Sequence, residues 1–445
     1  MGNETWLPDL RDKSKRREIF QNEKSFEDVG VWPDIARIMY MENMHKPSVV
    51  QCDVIPILLR EPAPNVVVQA QTGTGKTWAF FVNILQRTNF ELEAVQSIVL
   101  VPTRELARQI VQVMVKFCSN FAAVGAVSPQ AKSISEFGVA VAVPELIARD
   151  ELCDCHCVVG TPGTVLDLLR RKRINTEHLK CLVVDEADNM LNSQGLGDQS
   201  LRVRKAIQNI ENVQVALFSA TYAENLHNYV NIFCPDAQLM KLDKNDLVRE
   251  SIRQIFLDVR DAEHKFEMVT VLYEMTTVAC SIIFTKTKES ADKLKERMEE
   301  KGHKVSLLHS GLGPAERDRI IDEYRAGKTK VMIATNVLSR GIDVKTVSLV
   351  VNYDLPLDLN YQPDFDTYIH RIGRCGRFSA KGISVSFIED TRTWNHLDAI
   401  HRHFGMPICM LTAENIQTCE EMIKDVIKNK FDSSIGISRS RHAPR

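Results

Sequence analysis

The chain has 445 residues, 44% hydrophobic and 26% charged, with 20 Gly and 16 Pro. That length predicts two or three domains, and that balance excludes wholesale disorder, collagen and coiled coil. A formal net charge of -2 excludes a globally basic nucleic-acid binder but leaves room for a local basic groove.

Residues 1–24 are mostly polar and read as an extension without the apolar core of a signal peptide. Short Val/Ile-rich runs follow at 66–68, 98–101, 181–184 and 215–218, and a second set at 281–284, 305–308, 330–334, 349–352 and 383–388. Each leads through polar, often Gly-containing residues into a helical pattern, so the fold class expected is α/β with parallel sheets. The charged run 243–250 (DKNDLVRE) separates the sets, giving one domain over 25–242 and another over 251–430. The Arg- and Ser-containing tail, 431–445, reads as a disordered end, with a weak RNA-touching arm as the alternative. No run approaches the ~18 apolar residues of a membrane span. The 11 Cys lack framework spacing and fit a reducing interior, so a soluble intracellular protein is expected.

After the first strand comes Gln71-Thr72-Gly73-Thr74-Gly75-Lys76-Thr77, and a helical run begins at Trp78. Glycines here let backbone N–H groups converge on phosphate oxygens at a helix N-terminus. Lys76 would reach the β- and γ-phosphates of ATP, and Thr77 would place its hydroxyl on Mg²⁺. Ala70 stands where the strict pattern has Gly, and a Gly-rich turn before a helix is the bland alternative. The strand at 181–184 runs into Asp185-Glu186-Ala187-Asp188. Asp185 suits a Mg²⁺ ligand and Glu186 suits orienting or deprotonating the attacking water. A capped helix start would also favour acidic residues, but together the two motifs specify an NTPase.

Asp-Glu-Ala-Asp following Gly-Thr-Gly-Lys-Thr resembles the DEAD-box ATP-dependent RNA helicases, over about residues 25–430. The resemblance implies two tandem RecA-like domains. It makes Thr72, Gly73, Thr74 and Gly75 phosphate-cradling residues, and Gln51 of Lys46-Pro47-Ser48-Val49-Val50-Gln51 the adenine reader. Phe26 matches the family's upstream aromatic, whereas Met44 stands where an aromatic stacks on the base. Pro102, Thr103 and Arg104 of the Pro-Thr-Arg-Glu-Leu-Ala run, with Thr161 and Gly163, resemble RNA-backbone motifs, although Thr164 replaces the family's Arg. Ser219 and Thr221 of Ser-Ala-Thr resemble the motif coupling hydrolysis to strand separation.

In the second half, Gly341 and Asp343 of Ser339-Arg340-Gly341-Ile342-Asp343 resemble the motif whose Asp holds the ribose. His370-Arg371-Ile372-Gly373-Arg374-Cys375-Gly376-Arg377 resembles the arginine-finger motif, with Arg374 and Arg377 as fingers. His370 either serves the reaction or packs locally. Thr335 and Asn336 would contact RNA, and His309-Ser310-Gly311 resembles a further motif in which Gly311 replaces a frequent acidic residue. The loop 358–366 (DLNYQPDFD), and the runs at 160–167 and 194–202, resemble the mRNA-export branch. That branch implies a monomer acting on single-stranded RNA and RNA–protein complexes in the cytoplasm or nucleus, at the cytoplasmic face of the nuclear pore. It also implies docking to a pore-filament protein and an inositol-hexakisphosphate-bound activator.

A DNA-directed helicase is disfavoured by the Asp-Glu-Ala-Asp and adenine motifs. A nucleotide-switched RNA-binding scaffold with weak hydrolysis remains the alternative of another class. Two features are expected to be structural. Cys153, Cys155 and Cys157, at period two, should place three sulfurs on one face of a strand rather than bind zinc. The charged run 286–301 should be a helix with a solvated face.

Overall fold

The computed structural model describes residues 23–70, 73–123, 129–146, 153–192, 195–222, 224–241, 252–275, 280–336, 347–358, 360–375, 382–405 and 409–411. Thr72, Gly341, Asp343 and Arg377, the 243–250 linker and the 431–445 tail lie outside them. The chain divides into two compact units, residues 1–243 and 244–445.

The first unit is built on a seven-stranded sheet of β1 (Val66–Gln69), β2 (Ser97–Leu100), β3 (Val139–Ala142), β4 (Cys157–Gly160), β5 (Cys181–Val184), β6 (Gln214–Ser219) and β7 (Gln238–Lys241). Their order is β3-β4-β2-β5-β6-β1-β7, and every pair is parallel. Alternate side chains enter opposite cores. Val66, Val68, Val99, Val159, Val183 and Phe218 pack in one, and Val67, Ile98, Leu100, Val158, Leu182 and Leu217 in the other. Helices covering both faces are why these strands read as unbroken apolar runs. The edge strands β3 and β7 are partly exposed and shorter in apolar content, and neither is among the predicted runs.

The second unit repeats the plan with β8 (Ile252–Asp258), β9 (Cys280–Phe284), β10 (Val305–Leu308), β11 (Val331–Ala334), β12 (Val347–Asn352), β13 (Gly382–Ile388) and β14 (Cys409–Leu411). The order is β10-β11-β9-β12-β13-β8-β14, again all parallel. The charged run forms a helix, Lys288–Glu300, that buries only Ala291, Leu294 and Met298, one stripe at helical spacing. No helix among the described residues is long and apolar enough to cross a membrane.

The cysteine expectation needs correction. Only Cys157 belongs to a strand; the chain bends at Cys155 and His156 before entering β4. Cys157 therefore faces the first core while Cys155 and Cys153 pack with the second. The cause is local: His156 Nδ1 accepts a hydrogen bond from Gly138 N at 2.8 Å and its ring stacks on Phe137.

Where β4 ends, backbones approach closely. A Cβ on Gly160 would stand 2.3 Å from the Ala142 carbonyl oxygen of β3. That carbonyl is held by a hydrogen bond from Thr161 N at 3.1 Å, so Gly160→Ala is expected to destabilise the protein by about 1–3 kcal/mol. Urea denaturation of the full chain should show a lower midpoint with unchanged slope.

Candidate active site

A parallel sheet gathers the carboxyl ends of its strands at one edge, where such folds hold ligands. In the first unit that edge carries Thr161 after β4, Pro102–Arg104 after β2, Asp185 and Glu186 after β5, Ser219 ending β6, and the Gly73–Lys76 turn after β1. Four strand spacings separate β4 from β1, about 19 Å. The predicted RNA residues thus occupy one end, the phosphate residues the other, and the carboxylates lie between.

The phosphate turn ends in the helix Lys76–Arg87. Gly73 and Gly75 have φ of +77° and +89°, and a Cβ on Gly75 would stand 2.4 Å from Gln51 Nε2. That contact comes from the helix Val49–Leu58, whose capping box pairs Ser48 N with Gln51 Oε1 at 2.8 Å and Gln51 N with Ser48 Oγ at 3.2 Å. Ser48 Oγ donates to the Thr74 carbonyl at 2.6 Å, and Gln51 Nε2 to the Gly75 carbonyl at 3.2 Å. The adenine-reading candidate therefore also braces the turn. Sequence reading did not single out Ser48 for this, because the contact spans 26 residues. Met44 packs partly buried against the core, as does Trp78, and Phe26 is wholly buried beside Tyr40.

Hydrogen bonds tie the turn to the carboxylates. Lys76 Nζ donates to the Ala70 carbonyl at 2.6 Å, and Ala70 N donates to the Ser219 carbonyl at 2.9 Å. Ser219 Oγ accepts from Asp188 N at 3.2 Å, while Asp188 Oδ2 accepts from Thr221 N at 3.3 Å and Thr221 Oγ1 at 3.1 Å. The coupling candidates thus bond to the last residue of Asp-Glu-Ala-Asp. Asp188 was quoted in the sequence motif without a role; its place as the fourth residue was the available signal.

Asp185 is buried, and burial pushes its carboxyl up to about 7, with Lys76 pulling down and Glu186 and Asp188 adding to the rise. Glu186 has φ +52°, a left-handed conformation costing an L-residue about 1–2 kcal/mol. Its Oε2 is buried with no hydrogen-bond partner among the described residues. A strained backbone and an orphaned carboxylate oxygen are features that cluster at functional sites and that a simple helix cap does not require. The donor set also fits Mg²⁺. Among the described residues no three His, Cys, Asp or Glu are placed to hold a metal, but Mg²⁺ keeps waters and needs only one or two protein oxygens besides phosphate. Asp185 and Thr77 can supply those.

At the far end of the edge, Thr103 Oγ1 accepts from Leu106 N at 3.2 Å and starts the helix Arg104–Ala123. Arg104 is 8% exposed, with Nη1 donating to the Pro144 carbonyl at 2.7 Å. It stands as a brace under the loop after β3. Thr161 Oγ1 lies 3.2 Å from Thr164 Oγ1, so the residue replacing the family's Arg bonds to its own motif. Gly163 lies against Gln199 of the helix Leu196–Ala206.

In the second unit, Thr335 and Asn336 follow β11, Thr285 and Lys286 follow β9, and Asp354 follows β12, three neighbouring strands. Arg371, 1% exposed on the helix Phe365–Ile372, ties two of these strand ends together. Its Nη1 donates to Asn352 Oδ1 at 3.2 Å and the Asp354 carbonyl at 2.6 Å, and its Nη2 to Asn336 Oδ1. Burial lowers its pKa to about 9 against the pull of Asp354 and Asp364. Buried Lys265 bonds Asp354 Oδ1 at 2.8 Å and also Glu389. The bracing roles of Arg371 and Lys265 were not predicted, since partners 17 to 124 residues apart leave no local pattern. His370 is buried, and its carbonyl accepts from Arg374 Nε at 3.0 Å; Arg374 is 3% exposed. His309 Nδ1 accepts from Gly311 N at 3.1 Å, and a Cβ on Gly311 would meet that ring at 3.0 Å.

Residues 48–229 match the family model of the DEAD/DEAH box helicases, and residues 264–379 that of the helicase conserved C-terminal domain. The chain is 42% identical over 409 residues to the ATP-dependent RNA helicase DBP5 of Eremothecium gossypii, an alignment covering 91% of this chain and 84% of that one. The S. cerevisiae Dbp5 structure bound to RNA and ADP BeF3 is 40% identical with a TM-score of 0.82, covering 91% of this chain and 100% of that chain. A structure of an S. cerevisiae Dbp5 variant bound to nup159, a gle1 variant, ip6 and adp is 39% identical with a TM-score of 0.66, covering 90% and 100%.

Proposed function

Because the chain belongs to the DEAD-box ATP-dependent RNA helicases, we propose that it remodels RNA and RNA–protein complexes in mRNA export. It clamps single-stranded RNA when ATP is bound and releases it after hydrolysis. The observation that carries this reading is the run of bonds from Lys76 through Ala70 and Ser219 to Asp188 and Thr221. It joins the phosphate turn to the carboxylates on the same edge that bears the RNA-motif residues.

In this reading Lys76 transfers its ammonium from the Ala70 carbonyl to the β- and γ-phosphates, and the Gly73–Gly75 amides cradle them. Bound at Asp185 and Thr77, Mg²⁺ supplies neutralisation of charge on the phosphate oxygens. Glu186 orients the attacking water with the oxygen that has no partner among the described residues. Gln51 reads adenine, and Gly341 and Asp343 hold the ribose. Arg374 and Arg377 stabilise charge on the γ-phosphate, with His370 positioning Arg374 through its carbonyl. Pro102, Thr103, Thr161 and Gly163 in one unit, and Thr335 and Asn336 in the other, touch RNA backbone and carry little sequence information, while Arg104 braces the loop after β3 instead of reaching the strand. ATP and RNA favour one arrangement by their differential contacts, and hydrolysis removes those contacts.

The solved complex of the S. cerevisiae relative with nup159, gle1, ip6 and adp supports our reading that this chain docks to a nuclear-pore filament protein and an inositol-hexakisphosphate-bound activator; the cytoplasmic face of the pore is the location this reading proposes. The test is ATP turnover without nucleic acid, with single-stranded RNA, and with sequence-matched DNA. Stimulation by RNA alone is expected, because the 2′-hydroxyl distinguishes the two. Equal stimulation by DNA would contradict the RNA reading, and ATP binding without turnover in any condition would leave a nucleotide-switched scaffold.

A further inference from the structure

The loop between β12 and the helix Phe365–Ile372 carries an aromatic residue that neither folding nor burial explains. Tyr361 has φ +60° and is 56% exposed. Glycine or asparagine is the ordinary choice for that conformation, and an exposed ring contributes little to a core. The loop nevertheless holds it firmly. Asp358 Oδ1 accepts from Asn360 N and Gln362 N, each at 2.8 Å, and Asp358 N donates to the Gln362 carbonyl at 2.8 Å. Tyr361 N donates to the Asp358 carbonyl at 3.1 Å, and Leu357 and Pro363 form an antiparallel bridge.

A cation stands over the ring. Lys286 Nζ lies 5.2 Å from its centroid, within cation–π range. Lys286 is anchored by its backbone, whose N donates to Asp354 Oδ2 at 2.7 Å. Arg371 in turn joins the Asp354 carbonyl to Asn336. The exposed pair is thus fixed to the sheet edge that bears the predicted RNA contacts, with exposed Lys288 two residues beyond Lys286. A positioned ring beside exposed ammonium groups is the arrangement that binds single strands, since every base offers a π-face and every nucleotide a phosphate.

We propose that Tyr361 and Lys286 form an additional contact for one nucleotide of single-stranded RNA, the ring stacking on a base and the ammonium meeting a phosphate. The inference rests on the RNA-clamping reading above and adds a contact outside the motif residues. Binding of a labelled single-stranded RNA to the full chain, with Mg²⁺ and a non-hydrolysable ATP analogue, tests it. Tyr361→Gly is the informative variant, because glycine accepts φ +60° and preserves the loop. It should weaken binding about tenfold, while Tyr361→Phe keeps the affinity. Lys286→Ala should lower the slope of log affinity against log salt by about 0.7, one phosphate's worth. A backbone-matched abasic strand should bind the wild type and Tyr361→Gly equally. Wild-type affinity of Tyr361→Gly for the base-bearing strand would overturn the contact and leave the clamp standing. A wild-type protein that neither binds RNA nor is stimulated by it would overturn both.

Discussion

Arg374→Ala is expected to lower the turnover number for RNA-stimulated ATP hydrolysis by about 10³–10⁵, the range for losing a guanidinium from a phosphoryl-transfer transition state. The transferring phosphoryl group gathers charge on its oxygens, and an arginine fork supplies fixed donors without reorganisation. Arg374 suits the task because its Nε is held by the His370 carbonyl in the buried segment following the helix Phe365–Ile372. That end of the side chain is therefore already fixed within its own unit. Lysine should rescue little, since a point charge cannot reproduce that held fork. Turnover at saturating ATP and RNA separates roles: a fall in the turnover number marks transition-state work. A rise only in the RNA concentration needed for half-stimulation would assign Arg374 to packing. Arg371 makes the contrast, because its guanidinium is committed to Asn352, Asp354 and Asn336.

Glu186→Gln should be the second large effect, lowering turnover by about 10²–10⁴ while ATP and RNA still bind. Glutamine keeps the size and the hydrogen-bonding reach but removes the carboxylate that takes or directs a proton. The Glu186 backbone is strained at φ +52°, and its Oε2 is buried with no partner among the described residues. Turnover close to wild type would move the base elsewhere on the edge.

Central strands and central motifs were readable because each is local. β1, β5 and β6 are buried throughout and mostly apolar, and each runs into a predicted site motif, so strand and motif announce one another. Less readable were elements whose meaning comes from distant partners. The edge strands β3 and β7 lack the two-sided burial that makes a run conspicuous. Arg104 looks like an exposed cation in its motif, yet a carbonyl 40 residues on takes it into the interior. Gln51 reads as a base reader, but its amide also supports the phosphate turn 24 residues away. The Cys153–Cys155–Cys157 spacing suggests one face, and the bend at His156 sends the sulfurs to two. Spacing describes a straight strand; it does not reveal where a strand begins.

ATP and RNA are expected to reinforce one another's binding, and Glu186→Gln allows this to be measured without hydrolysis. RNA affinity of this variant would be determined with ATP and Mg²⁺, with ADP and Mg²⁺, and without nucleotide, and ATP affinity with and without RNA. ATP should strengthen RNA binding at least about fivefold over ADP, and RNA should strengthen ATP binding by the same factor as ATP strengthens RNA binding, as linkage requires. RNA affinity that is the same with ATP, with ADP and with neither would contradict it.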